Sequence, residues 1–134
     1  MKDTILKRTE GPYTIHVFKD IDTDQDLSWL TDTSRYVGCL PDEIEDYKKQ
    51  DEERLADYGN GWGMVGVVCE ISIKTKTNWA KDPVVARSSV WGVESDSDES
   101  YFLTLAEEQI EEAKHDLKNL REALVSADYA KVQK

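Results

Sequence analysis

Leu103, Ala106, Ile110, Ala113, Leu117, Leu120 and Leu124 recur at steps of three, four, three, four, three and four. That period allows one structure, an amphipathic α-helix with a narrow apolar seam. Asp96-Ser-Asp-Glu99 precedes it as an Asx cap with a glutamate three residues on, which predicts a start near 97 and an end near 126. About 45 Å of helix, at 1.5 Å per residue, is more than a small sheet needs. The seam therefore fits two roles, packing on a sheet or pairing with a second copy through Leu103, Ile110, Leu117, Leu120 and Leu124.

The rest of a 134-residue chain supplies one domain's worth of further elements. Tyr13, Ile15 and Val17 alternate with Thr14 and His16, which predicts a strand over 13–19. Pro41 at a first helical turn, Asp42 and Glu43 behind it, and a stripe of Ile44, Tyr47, Asp51, Leu55 and Tyr58 predict a helix over 42–58, stopped by Gly59-Asn-Gly61. Val65, Val67, Cys69, Ile71 and Ile73 share one face of a strand over 62–74, and the run 84–93 returns beside it as an antiparallel neighbour. The expectation is an α+β domain over 13–134: an antiparallel sheet of about three strands, covered on one face by the 42–58 and 97–126 helices, with residues 1–12 a loose tail.

Charge is the second constraint. The chain carries −11, with 28 acidic and 17 basic side chains, and the excess is blocked. Segment 20–57 holds −9 and segment 94–112 holds −8, while the three flanking segments are each +2. Such a surface does not neutralise phosphates or dock on anionic lipid, so neither direct nucleic-acid binding nor membrane association is expected. No apolar run reaches the length of a membrane span, and the opening Met1-Lys-Asp-Thr4 has no signal-peptide pattern.

Motifs for catalysis or metal are lacking. Asp22-x-Asp24-x-Asp26 invites a calcium loop, but Leu27 and Thr33 stand where its glycine and glutamate belong, and a start at Asp20 fails at Gln25 and Thr31. Glu94, Asp96 and Asp98 form a second acidic group, explained by helix capping. His16 and His115 are linked to no nucleophile, and no Walker, GxSxG, HExxH or dinucleotide pattern occurs. No metal or cofactor is expected. Glu70 and Glu94, with Asp96, are the carboxylates available for acid–base work if the chain is an enzyme. Cys39 and Cys69 read as reduced, small buried residues rather than a disulfide. Trp29, Trp62 and Trp91 sit at element ends and read as core seals, whereas Trp79 lies in a basic loop with Lys74, Lys76 and Lys81 and reads as a contact residue.

Trp62-Gly-Met-Val-Gly-Val, Ser89-Val-Trp-Gly-Val-Glu-Ser-Asp-Ser-Asp98, Asp26-Leu-Ser-Trp-Leu30 and Gly59-Asn-Gly-Trp-Gly63 together resemble small uncharacterised acidic proteins of bacteriophages and other bacterial mobile elements, over about residues 13–120. The resemblance implies a bacterial host cytoplasm and carries no catalytic residue with it. Three functions stand beside one another. The first is a non-enzymatic inhibitor of restriction or CRISPR type that imitates DNA and engages a basic, nucleic-acid-binding host protein. Its contact residues would be Asp20, Asp22, Asp24, Asp26, Glu94, Asp98, Glu107, Glu108, Glu111, Glu112 and Trp79. The second is an assembly protein that dimerises through the heptad seam, and the third a small enzyme using Glu70, Glu94 and Asp96. The charge favours the first.

Overall fold

The computed structural model describes residues 3–23, 27, 36–76 and 81–127. Four strands form one antiparallel sheet in the order of the chain: β1 (Asp3–Glu10), β2 (Tyr13–Ile21), β3 (Met64–Ile73) and β4 (Val84–Glu94). Two helices complete it, α1 (Pro41–Ala56) between β2 and β3, and α2 (Glu99–Ser126) after β4. The α+β class holds, with one strand more than expected. Residues 3–10, expected as a tail, are β1, paired with β2 from Asp3–Lys19 to Glu10–Tyr13. Charged and polar side chains hide the strand, since no β1 residue is fully buried and it reads poorly by apolar alternation.

The main core lies between the sheet and α2. Ile15 and Val17 of β2, Val67, Cys69 and Ile71 of β3, and Ala86 and Val93 of β4 meet Phe102, Leu105, Ala106, Ile110, Ala113 and Leu117. On the other face Phe18 and Val68 are cross-strand partners, and both are fully buried. The helix buries a stripe shifted from the predicted one. Phe102 and Leu105 replace Leu103, which is 42% exposed. Leu120 and Leu124 continue the stripe and remain about half exposed.

The sheet is not covered by both helices. No α1 residue is buried. Its predicted stripe is short and broken by Asp51, so too little apolar area exists to pack it on strands. The stripe instead makes polar and aromatic contacts. Tyr47 stacks on Tyr36 with ring centroids 6.3 Å apart, Asp51 accepts a hydrogen bond from the Tyr36 hydroxyl, and Tyr58 meets Trp62 edge-on at 5.1 Å. Gly59, at φ +89°, turns the chain after α1.

A bulge shapes the β3–β4 edge. Val65 pairs with Val93 and Val67 with Val90, so Gly66 faces both Trp91 and Gly92. Gly92 takes the extra residue's turn at φ +75°, a conformation that side chains disfavour. The Trp91 indole then lies flat over Gly66, where there is no side chain to obstruct it. Trp91 is 45% exposed, not a core seal, whereas Trp62 is buried as expected.

Candidate protein-binding surface

The strand directions bring the two acidic segments to one end of the sheet. β2 finishes there with Asp20 and Ile21, followed by Asp22; β3 begins there at Met64, opposite Glu94 of β4; and 95–98 leads directly into α2. The Asp22 amide donates to the Met64 carbonyl at 3.0 Å, and the Ser95 amide donates to the Gly63 carbonyl at 2.8 Å. Asp20, Asp22, Glu94, Asp96, Asp98 and Glu99 are thus gathered across three strand ends and one helix start.

One cation joins α1 to this end. The Arg54 guanidinium donates to Glu94 at 2.5 Å and to both carboxylate oxygens of Asp96, at 2.5 and 2.9 Å. Its flat face lies 3.7 Å over the Trp62 ring, and Trp62 Nε1 donates back to the Arg54 carbonyl at 2.6 Å. Hydrogen bonds from Arg54 hold the Asp96 carboxyl below its ordinary range, and the same contacts keep the guanidinium protonated. A carboxylate fixed in its ionised form here is a clamp, not a proton donor at neutral pH.

Asp96 is therefore not the cap of α2. The helix starts two residues later than predicted, at Glu99, with Asp98 at the N-cap position and no capping bond from its side chain. The Asp-x-Asp repeat offers two cap registers, and the pull of Arg54 from 42 residues away decides which aspartate is used elsewhere. Arg54 and Trp62 carry this arrangement. The only local signal for Arg54 is its position as a lone cation closing the acidic run Asp51-Glu-Glu.

The expected contact residues divide into three sets. Asp22 and Glu94 are committed inside the fold, because Asp22 Oδ2 accepts the Gly92 amide at 3.0 Å and Glu94 holds Arg54. Asp20 and Asp98 lie at the acidic end, Asp20 bonding the next amide at 2.9 Å. Glu107, Glu108, Glu111 and Glu112 are all exposed along α2, with Glu107 paired to Arg8 on β1. Asp24, Asp26 and Trp79 lie outside the described residues. The structure adds Asp42, Glu45, Asp46, Glu52 and Glu53, exposed on α1.

The opposite end of the sheet is richer in cations. The Lys74 amide bonds the Pro12 carbonyl, so the β1–β2 and β3–β4 turns sit together, with Lys74, Lys76 and Lys81 beside them. The second half of α2 reaches that end with Lys114, Lys118 and Arg121, Lys114 lying 3.0 Å from Glu10. Glu10, Asp82, Asp116 and Glu122 lie among these cations, so this end is mixed in charge where the other is acidic.

The carboxylates considered for acid–base work do not converge. Glu70 faces Arg87 across the β3–β4 pair at 3.9 Å. Glu94 faces Met64, six residues along β3, or about 20 Å at strand rise. Among the described residues, no group of three or more His, Cys, Asp or Glu is placed to hold a metal ion. No described helix is long and apolar enough to cross a membrane. Both cysteines are free; Cys69 is fully buried and Cys39 half-buried. Ile110 and Leu117, two members of the expected dimer seam, are buried against the chain's own sheet. No family model, curated protein or solved structure matches the chain.

Proposed function

We propose that the chain is a non-enzymatic acidic binding protein that engages a basic, nucleic-acid-binding protein of a bacterial host, occupying the surface that DNA would take. What supports this is the approach of described parts of the 20–57 and 94–112 segments at one end of the fold, where Arg54 bonds Glu94 and Asp96. Exposed carboxylates continue from that end along two helices, Asp42, Glu45 and Asp46 on α1 and Glu108 and Glu112 on α2. Carboxylates held on helices keep fixed spacings, as phosphates do on a duplex, and a field of one sign steers a basic partner in quickly. The resemblance to mobile-element proteins names the setting, in which restriction and CRISPR machinery are the basic targets. A small enzyme is the weaker reading, because Glu70 stands far from Glu94 and Asp96.

The test is capture from bacterial lysate on the immobilised chain, followed by competition. A retained nucleic-acid-binding protein should be released by duplex DNA and by salt. It should not be retained by a variant carrying Glu45→Lys, Asp46→Lys, Glu108→Lys and Glu112→Lys, positions that make no contact with the core. Retention that survives duplex DNA, salt and the four reversals would reject mimicry.

A further inference from the structure

α2 carries a second stripe beside the buried one. Leu103, Glu107, Glu111, Lys118, Arg121 and Val125 all lie on one flank of the helix, with Lys114 at its middle. That flank borders β1, where Glu107 pairs with Arg8 and Lys114 with Glu10, and its residues from Leu103 to Val125 other than Lys114 are exposed. Its order is unusual: an apolar residue at each end, acidic residues in the first half and basic residues in the second. The stripe is complementary to itself when reversed.

We propose that two copies of this chain pair antiparallel along that flank of α2. In this register Leu103 falls opposite Val125 of the second copy, Glu111 opposite Lys118, and Glu107, which also holds Arg8 of its own β1 at 2.5 Å, opposite Arg121. Every contact occurs twice about a two-fold axis near Lys114. The lysine at the axis is already neutralised by Glu10 at 3.0 Å. A parallel pairing would set glutamate on glutamate and lysine on lysine, so charge alone selects the antiparallel arrangement. The contact is isologous and closes at two copies, with no surface left to propagate.

Two further features fit the same occupant. Beside the basic half of the flank, a groove of about 280 Å³ is floored by Tyr13, Ile15, Ile71 and Leu117 and edged by Lys118 and Arg121. In the stated register the second copy brings Glu111 and Glu107 to the Lys118 and Arg121 edge of that groove. Val125, 88% exposed, falls opposite Leu103 of the second copy, itself 42% exposed, so each apolar end finds an apolar partner. The pairing uses a different flank from the seam legible in the heptads, whose Ile110 and Leu117 face the sheet. It is independent of the proposed host contact, because Glu108 and Glu112 lie about 100° round the helix from Glu107 and Glu111.

Sedimentation of the full chain up to about 1 mM, at low and high salt, tests the pairing. The expected result is a reversible dimer that salt weakens. Glu111→Lys or Lys118→Glu alone should weaken it about tenfold, since each places like charges opposite one another twice, and the double variant should restore it to within about threefold. Circular dichroism melting confirms that each variant is folded. Zero-length carbodiimide coupling of mixed isotope-labelled and unlabelled chains should join Glu111 of one copy to Lys118 of the other. A chain that stays monomeric at the highest concentration overturns the proposal. So does a dimer indifferent to both single reversals, or one that the double variant does not rescue.

Discussion

Arg54 on α1 grips both oxygens of Asp96, 42 residues later in the chain, although no side chain of α1 is itself buried. The helix is held to the sheet by this guanidinium, by Glu94 and by the Trp62 ring beneath it. The Asp96 carboxyl titrates below its ordinary value because Arg54 donates to it. The stabilisation is therefore complete above the unfolded aspartate pKa of about 3.9 and is lost as pH falls through the lower folded value. We predict that Asp96→Asn lowers stability by about 1 kcal/mol at pH 7, the upper end for a part-exposed bidentate pair. The deficit should close as pH drops below about 4. Chemical unfolding of both proteins at several pH values measures it. A cap role would instead leave Arg54→Lys harmless, whereas the clamp loses its fork geometry in that variant.

β2, β3, β4 and α2 were legible because their signals are local. β2, β3, β4 and both helices fall within about two residues of the periods that predict them. What the sequence conceals is decided between elements. β1 carries Arg8 and Glu10, whose value lies in pairing with Glu107 and Lys114 about a hundred residues away. The heptad at Leu103 is displaced by Phe102 and Leu105, because a helix on a broad sheet buries a wider arc than a coiled-coil seam. The gathering of charge was legible as two blocks. Their meeting point depends on strand direction and on Arg54, and neither is written in any local pattern.

The two cysteines should behave differently towards a thiol reagent. Burial pushes the Cys69 thiol up to about 11, with Glu70 adding to the shift and Arg8 and Lys114 opposing it. Cys39 is half-buried beside Tyr36, Tyr47 and Asp51. At pH 8 the native chain should release colour from a disulfide reagent in one fast step, assigned to Cys39, and in a second, much slower one governed by opening of the core. Cys39→Ser should remove the fast step alone.

Gln109 is the polar residue that α2 turns into the core. Its backbone carbonyl accepts the Ser88 hydroxyl at 2.6 Å, but its side-chain Oε1 is buried without a hydrogen-bond partner among the described residues. A buried acceptor left open costs about 1–3 kcal/mol. Methionine has nearly the same length and no such oxygen, so Gln109→Met should raise stability by about 1 kcal/mol, seen as a higher urea midpoint with an unchanged slope. A destabilised variant would show that the side chain is held by a bound water.

Gly66 and Trp91 make the most position-specific test of the sheet. A Cβ built on Gly66 would overlap the six-membered ring of Trp91, which lies flat across the glycine on the face away from α2. The ring cannot simply withdraw, since Trp91 Nε1 donates to Ser89 Oγ at 3.1 Å and the bulge at Gly92 is pinned by Asp22. Gly66→Ala should therefore cost about 1–3 kcal/mol, the range for overpacking. This is opposite in sign to the gain expected of alanine in an open strand. The cause is separable by a second substitution. With Trp91→Ala in place the ring is gone, and Gly66→Ala should then be neutral or mildly stabilising. Thermal unfolding of the four proteins in this cycle reads the coupling directly. Additive effects at the two positions would mean that the ring does not rest on Gly66.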